Sequence, residues 1–443
     1  MFQVQRQEVF MLIKSFFGPA ITGLRFPVLE NIHKEIPIRV PEPETAFLHI
    51  YRNGVSVTGG IENLQVGAAL KTGQRIAVEL EGVKASAVSP VTGVVSQVSG
   101  QTGYSGKNYL KIAVKVDRKE QFDPGFRKAA EEPDGSAIMP FLDALPGNTD
   151  FSFISALQKP IRAFIVYGID TEPFVTTNQF ILAARTEELR AGMERLRPLF
   201  RGCRIFVAVP PYLEAMARIT RAEVTVVEPV YPFTLPEMIM KKAFNFEIPA
   251  GRRIEELGVA FVNAETLVAM AEAFESGTPG VRKHLTVITK NGDAALVNAK
   301  IGTPVGKVFS AAGIHTSPGD LIVQGGPMTG RSIHSEDAPV LKNTEALFIR
   351  ERAEVPFSSD SHCINCGECV RACPAGIPVN MLVRVLENGL WEDAAGLYDL
   401  DACIECGLCS YVCPAKIPVF HYIMLGKHEA ERIARAEDSD VQG

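Results

Sequence analysis

The chain has 443 residues, 46% of them hydrophobic, enough length for roughly three domains and a composition that argues for globular rather than disordered structure. Its net charge of -6, with no basic run and no interleaving of basic and aromatic residues, argues against a nucleic-acid partner. No apolar stretch reaches the ~18–20 residues that a membrane span needs.

The first element, Val9 to Leu24, is apolar but interrupted by Lys14, Ser15, Gly18 and Pro19. Such breaks suit an arm packed on the first domain rather than a helix lying on a membrane, so residues 1–45 are expected to be an N-terminal arm. No signal-peptide pattern opens the sequence, and a reducing, cytoplasmic setting is expected. From Ala46 to Val116, short alternating apolar segments are broken at Gly67, Gly73 and Gly93. Regular turn signals of this kind predict a small all-β unit over residues 46–118. Its phrase Gly67-Ala-Ala-Leu70-Lys71-Thr-Gly73-Gln74, followed by Ser89-Pro90-Val-Thr-Gly93, resembles the barrel-sandwich hybrid fold of lipoyl and biotinyl carrier domains. Those domains present a modifiable lysine in a hairpin beside Met or Asp. That hairpin is missing here, so Lys71 and Lys84 read as solvated charges and the unit as structural or docking.

Residues 119–150 are rich in Pro, Gly and charge (Asp123-Pro-Gly, Glu131-Glu-Pro-Asp-Gly) and read as a linker with a short helical turn. Over residues 151–280 strand-like and helix-like segments alternate. Ile161 to Tyr167, Arg204 to Val209 and Glu223 to Val227 are β-rich. Thr186 to Leu199 carries Leu189, Met193, Leu196 and Leu199 at helical spacing, with Thr186 as N-cap and Pro198 near the stop; Asn263 to Phe274 is a second amphipathic helix. The alternation predicts an α/β layer with a largely parallel sheet. Residues 281–345 return to β character, with Leu285 to Thr289, a turn at Lys290 to Asp293, Ala295 to Ala299 and Leu321 to Val323. A β-grasp unit whose helix is Phe309 to Gly313 is the expectation.

Two glycine-rich phrases fail as nucleotide motifs. Gly325-Gly-Pro-Met-Thr-Gly330 has the wrong spacing for a dinucleotide fingerprint. Gly302-Thr-Pro-Val-Gly-Lys307 is one residue short of a phosphate loop, with Val308 where a hydroxyl belongs. Both read as turns. His284, His315, His334 and His362 have no metal-ligand spacing and read as surface or turn residues, and Cys203 as a small buried hydrophobe.

Eight of the nine cysteines fall between Cys363 and Cys413. They form Cys363-Ile-Asn-Cys366-Gly-Glu-Cys369-Val-Arg-Ala-Cys373-Pro374 and, repeated, Cys403-Ile-Glu-Cys406-Gly-Leu-Cys409-Ser-Tyr-Val-Cys413-Pro414. In this run three thiolates hold one 4Fe–4S cluster and the fourth holds its neighbour. Cys363, Cys366, Cys369 and Cys413 are therefore assigned to one cluster, and Cys403, Cys406, Cys409 and Cys373 to the other. Gly367 and Gly407 allow tight loops whose amides point inward, and Pro374 and Pro414 stop helix formation at the fourth ligand. Structural zinc fits less well because its ligands come as two separated pairs, and disulfides need an oxidising compartment. The cluster domain is expected over residues 346–426, followed by a charged, frayed tail over residues 427–443.

The order of parts now becomes recognisable. The carrier-like β unit precedes Val166-Tyr-Gly-Ile-Asp170-Thr-Glu172-Pro173, then Glu228-Pro-Val-Tyr-Pro232, the Thr289 to Asp293 turn and the Gly325 to Gly330 phrase. With the duplicated ferredoxin run, this order resembles the C subunit of the Rnf electron-transport complex. The α/β and β-grasp (SLBB-like) pair is similar to the flavoprotein subunit of respiratory complex I. The resemblance implies an α+β multidomain chain: a barrel-sandwich-hybrid-like β domain, an α/β domain, a β-grasp domain and a two-cluster ferredoxin-like helical domain. It also implies peripheral attachment at the inner face of the cell membrane through membrane-embedded partner subunits, exchange of electrons with a redox protein, and a site for FMN and NADH.

One departure bears on that site. The family's Gly-Gly-Ala-Gly-Phe-Pro flavin loop is replaced by Phe151-Ser-Phe-Ile-Ser-Ala-Leu-Gln-Lys-Pro160, which has no glycine. Side chains there would keep backbone amides from a flavin phosphate. The family's Gln-Gly-x-Glu phrase is likewise replaced by Phe233-Thr-Leu-Pro236-Glu237. Gly168, Asp170 and Glu172 match the cofactor-facing positions, although an acidic loop after a strand is more often a solvated turn or a helix start. The expectation is an iron–sulfur electron-transfer subunit whose α/β domain is mainly scaffold. The alternatives are an FMN-dependent NADH-oxidising subunit and a cobalamin-reductase-like flavoprotein.

Overall fold

Alternation at period two builds the first sheet. A computed structural model describes residues 24–25, 36–51, 65–80, 83–102, 108–132, 135–355, 358–359 and 361–441. Within it Thr45–Tyr51, Asn108–Val116, Gly93–Thr102 and Ala69–Leu70 form an antiparallel sheet in that order. Ala46, Leu48 and Ile50 point to one face and pack on Leu110, Ile112 and Val114. Lys71 is exposed, while the side chain of Lys84 lies outside the described residues.

The expected arm is divided. The stretch from Val9 lies outside the described residues up to Leu24. Leu24–Arg25 pairs with Val230–Tyr231. Ile38–Arg39 pairs in parallel with Ala294–Lys300, and Val40 is buried in the core of that sheet. This segment therefore completes the third unit rather than packing on the first, because its apolar residues match an open sheet edge.

The expected linker is also core. Gly125–Ala130 and Met139–Leu142 are helices. Phe126, Ile138, Phe141, Leu142 and Leu145 are buried in the hydrophobic core of the α/β unit. Ahead of the first of these helices, Asp123 accepts a hydrogen bond from the Gly125 amide at 2.8 Å.

The α/β unit has four parallel strands, in the order Glu223–Val226, Arg204–Val209, Ala163–Tyr167 and Val259–Asn263. The inner strand Ala163–Tyr167 is a continuous apolar run, as burial on both faces requires. Helices Thr186–Leu199 and Ala264–Ser276 pack together at Gly192, where a Cβ would run into the Leu267 carbonyl oxygen. Thr186 is not the cap: its hydroxyl donates back to the Leu182 carbonyl oxygen at 2.6 Å, and Arg185 holds the cap position.

The third sheet has six strands, and Ala346–Arg350 lies inside it, parallel to Arg282–Ile288. This strand falls beyond the boundary expected at residue 345. Its helix is Val305–Ala311, which the phrase from Gly302 leads into rather than forming only a turn. The last unit contains the helices Glu368–Ala372, Val379–Glu387, Trp391–Leu397, Leu408–Tyr411 and Val419–Val441. The final helix runs unbroken to Val441, through most of the segment expected to fray. Among the described residues no helix is long and apolar enough to cross a membrane.

Candidate iron–sulfur centres

Each cysteine loop curls because two residues in it take left-handed backbone. Asn365 (φ 57) and Gly367 (φ 77) do so in the first loop, Glu405 (φ 56) and Gly407 (φ 70) in the second. The third cysteine of each loop, Cys369 or Cys409, enters a short helix, and the fourth, Cys373 or Cys413, follows its end. The two halves pack so that each fourth cysteine faces the other half's loop. One cavity is lined by Cys403, Cys406, Cys409 and Cys373. The other is lined by Cys363, Cys366, Cys369 and Cys413. Both have apolar walls, including Ile377 and Val379 in the first and Ile417 and Val419 in the second.

All nine cysteines are free thiols. Burial, then the neighbouring thiols, pushes Cys369 up to about 11. Burial also pushes Cys406 up to about 12 and Cys409 well above the ordinary thiol value. Bound metal reverses such a tendency and holds its sulfur ligands as thiolates. Among the described residues no three Cys, His, Asp or Glu side chains meet tightly enough for a single metal ion. Four thiols ring a space in each half, a soft donor set that fits a polynuclear iron–sulfur group.

The second centre abuts the rest of the molecule. A Cβ on Gly407 would lie 2.6 Å from the Met328 carbonyl oxygen, so the loop rests directly on the turn Gly325 to Gly330. Tyr231, fully buried, donates its hydroxyl to the Cys406 carbonyl oxygen at 2.5 Å. Lys427 Nζ donates to the Cys403 carbonyl oxygen at 2.7 Å and to Glu405 at 2.8 Å. At the first centre Ile364 is 64% exposed, and Arg371 donates to the Cys366 carbonyl oxygen at 3.3 Å. Tyr231 stands in the sequence phrase Glu228 to Pro232, but nothing local to it signals a partner far along the chain. Lys427 lies in the segment expected to be a frayed tail.

Gly168, Asp170 and Glu172 are not a solvated loop. Asp170 is 1% exposed and accepts from the Asn178 amide at 2.8 Å and from Gln179 Nε2 at 2.9 Å, at the start of the helix Thr177–Ala184. Glu172 accepts from the amides of Met328 at 3.0 Å and Thr329 at 2.9 Å, and from the Thr329 hydroxyl. Burial pushes both carboxyls above the ordinary range, with these hydrogen bonds opposing it. A Cβ on Gly168 would lie 2.8 Å from Val209 Cγ1, so tight packing explains that glycine. Phe151–Ala156 is a helix with Phe151 and Ile154 buried, and its Asp150 cap accepts from the Phe153 amide at 2.8 Å. His284 is neither a surface nor a turn residue: it sits in the strand Arg282–Ile288, with Nδ1 2.9 Å from Glu265. His315, His334 and His362 are exposed and lie outside the cysteine cavities, and Cys203 is buried in the α/β core.

Residues 362–417 match the 4Fe-4S dicluster domain family. Over 336 residues the chain is 29% identical to the C subunit of the ion-translocating oxidoreductase complex of Rhodobacter capsulatus, covering 71% of this chain and 64% of that one. The chain is similar to the C subunits of these ion-translocating oxidoreductase complexes. It is 26% identical over 420 residues to the C subunit of the proton-translocating ferredoxin:NAD(+) oxidoreductase complex of Clostridium ljungdahlii, covering 88% of each. The Na(+)-translocating counterpart from Acetobacterium woodii is 24% identical over 348 residues, covering 74% of this chain and 78% of that one. Thus the chain spans slightly less than two thirds of the Rhodobacter relative and more of the other two. Among solved structures it is similar to an NAD+-reducing [NiFe]-hydrogenase at 15% identity and a TM-score of 0.43, over 71% of this chain and 63% of that one. The chain is α+β and multidomain, with a C-terminal ferredoxin-type iron–sulfur region.

Proposed function

We propose that this chain is an iron–sulfur electron-transfer subunit of an Rnf-type complex. Cys363, Cys366, Cys369 and Cys413 hold one 4Fe–4S cluster, and Cys403, Cys406, Cys409 and Cys373 hold the other. The observation that carries this reading is the crossed ring of four thiols around each of two apolar cavities. Each such cluster takes up and releases one electron at a time. The chain's own residues supply the rest: the left-handed loop positions aim the thiols, Pro374 and Pro414 set the crossing ligands, and Ile377, Ile417 and their neighbours exclude water.

The partners are membrane-embedded subunits that hold the chain at the inner face of the membrane and a redox protein that gives or takes electrons. The remaining units serve as scaffold and docking surface: a barrel-sandwich-hybrid-like β domain, an α/β domain similar to the complex I flavoprotein, and an SLBB-like β-grasp domain. Two observations support a scaffold role over FMN and NADH binding. The segment standing for the glycine loop is a capped helix with a buried face, and Asp170 and Glu172 already accept hydrogen bonds from protein donors.

The test is iron, sulfide, zinc and flavin content of the anaerobically purified full chain. About eight iron atoms per chain, as two 4Fe–4S clusters require, with flavin well below one per chain, is the expected result. Zinc in place of iron overturns the cluster assignment. Stoichiometric FMN that bleaches with NADH overturns the scaffold role and makes the chain an NADH-oxidising flavoprotein.

A further inference from the structure

The two cysteine halves repeat at an interval of 40 residues (Cys403 against Cys363), so each position in one half has a counterpart in the other. Between residues 363–387 and 403–427 six counterparts differ in charge, and three of them bear on the hydrogen bonds behind the cysteine loops. Arg371 corresponds to Tyr411, Asn365 to Glu405, and Glu387 to Lys427. In the first half Arg371 donates to the Cys366 carbonyl oxygen from within its own short helix, and its side chain is 44% exposed. In the second half no arginine stands at that place, and the matching carbonyl, on Cys406, takes its hydrogen bond from Tyr231 of the α/β unit. Glu387 is exposed, whereas the side chain of Lys427 is 18% exposed and is bonded to the Cys403 carbonyl and to Glu405.

Reducing an iron–sulfur cluster adds one electron and hence one negative charge. A carbonyl oxygen beside the cluster opposes that charge, and a donor that draws the carbonyl's electron density away relieves the opposition. A buried hydroxyl or ammonium acts through a lower dielectric than an exposed guanidinium, so its field reaches further. The loop around Cys406 therefore has a buried hydroxyl and a half-buried ammonium, the latter paired with Glu405, behind its ligands, where the other half has an exposed arginine paired with Glu368.

We propose that Tyr231 and Lys427 are positioning residues that raise the reduction potential of the cluster held by Cys403, Cys406, Cys409 and Cys373, separating it from its twin. Because Tyr231 belongs to the α/β unit, that potential exists only while the cluster unit is docked on it. This rests on the two-cluster assignment above, and the experiment keeps the two failures apart.

The experiment is an EPR-monitored potentiometric titration of the full chain with both clusters loaded, comparing wild type with Tyr231→Phe, Lys427→Gln and Arg371→Gln. Iron content of each variant is measured first. The expected result is that Y231F and K427Q each move the same one of the two midpoints to a more negative potential and leave the other in place, while R371Q moves only the other. Since K427Q leaves the hydrogen bond from Tyr231 to the Cys406 carbonyl in place, it answers the question even where Y231F loosens docking and loses iron. Two unmoved midpoints in K427Q, or equal movement of both, overturn the proposal. A wild-type chain without two clusters overturns the cluster assignment instead, and this inference with it.

Discussion

Lys283 Nζ and Glu265 Oε2 form an ion pair at 2.5 Å with side chains 0% and 4% exposed. Glu265 belongs to the helix Ala264–Ser276 of the α/β unit and Lys283 to the strand Arg282–Ile288 of the third sheet. Glu345, at the start of the neighbouring strand, lies 3.3 Å from the same ammonium. The joint between the two units is thus a buried charge cluster. Removing one partner of such a cluster strands the others in low dielectric. Lys283→Met should destabilise the fold by about 3–5 kcal/mol. Lys283→Met combined with Glu265→Met should cost clearly less than the sum of the two single changes, as chemical denaturation of all three variants will report.

The buried carboxylates make opposite contributions to acid stability. Burial pushes Glu265 up, but Lys283 and His284 outweigh it and hold the carboxyl below the ordinary 4.5. The folded state therefore favours ionised Glu265, and its contribution is full above pH 4.5 and lost as pH falls through the lowered value. Glu172 is raised above 4.5, chiefly by burial. Its contribution is greatest below the unfolded value and is lost as pH rises through the raised one. In unfolding measured from about pH 7 down to about pH 3, Glu265→Gln should flatten the acid loss of stability and Glu172→Gln should steepen it.

Gly407 and Gly367 occupy equivalent left-handed positions but meet different surroundings. A Cβ on Gly367 would approach nothing closer than Arg371 Nη1 at 3.4 Å, whereas one on Gly407 would strike the Met328 carbonyl oxygen at 2.6 Å. Gly367→Ala should cost about 1–2 kcal/mol for the backbone conformation alone. Gly407→Ala should cost more and should expose the seam beside Met328, seen as faster protease cleavage or amide exchange around Gly325 to Gly330.

Phe151 stands where a flavin loop is expected from the family, and its ring is fully buried in the α/β core. Phe151→Ala should destabilise the protein by about 3–5 kcal/mol, measured by thermal or denaturant melting. A neutral outcome would mean that this helix is not the structural wedge its burial implies.

Features written in adjacent residues are legible without the fold. The strands Ala163–Tyr167 and Arg204–Val209 and the helix Thr186–Leu199 announce themselves by apolar spacing, and the duplicated cysteine run announces two ligand sets. Sequence and structure part where local composition and distant packing disagree. Residues 119–150 carry every turn signal of a linker, yet Phe126 and Phe141 are drawn into the α/β core. Asp170 and Glu172 look like an acidic surface loop, yet amide donors from two separate segments pull them inside.

Amino-acid order by itself determined the donor chemistry, because three cysteines at intervals of three with a left-handed residue between them curl into a loop whatever surrounds it. The tertiary structure alone decided what stands behind those loops: Tyr231 on Cys406, Met328 against Gly407, and Ile38 on the edge of the third sheet. These contacts join residues far apart in the chain. They follow from which apolar faces and unpaired edges remain once each unit has folded, and no local pattern encodes that.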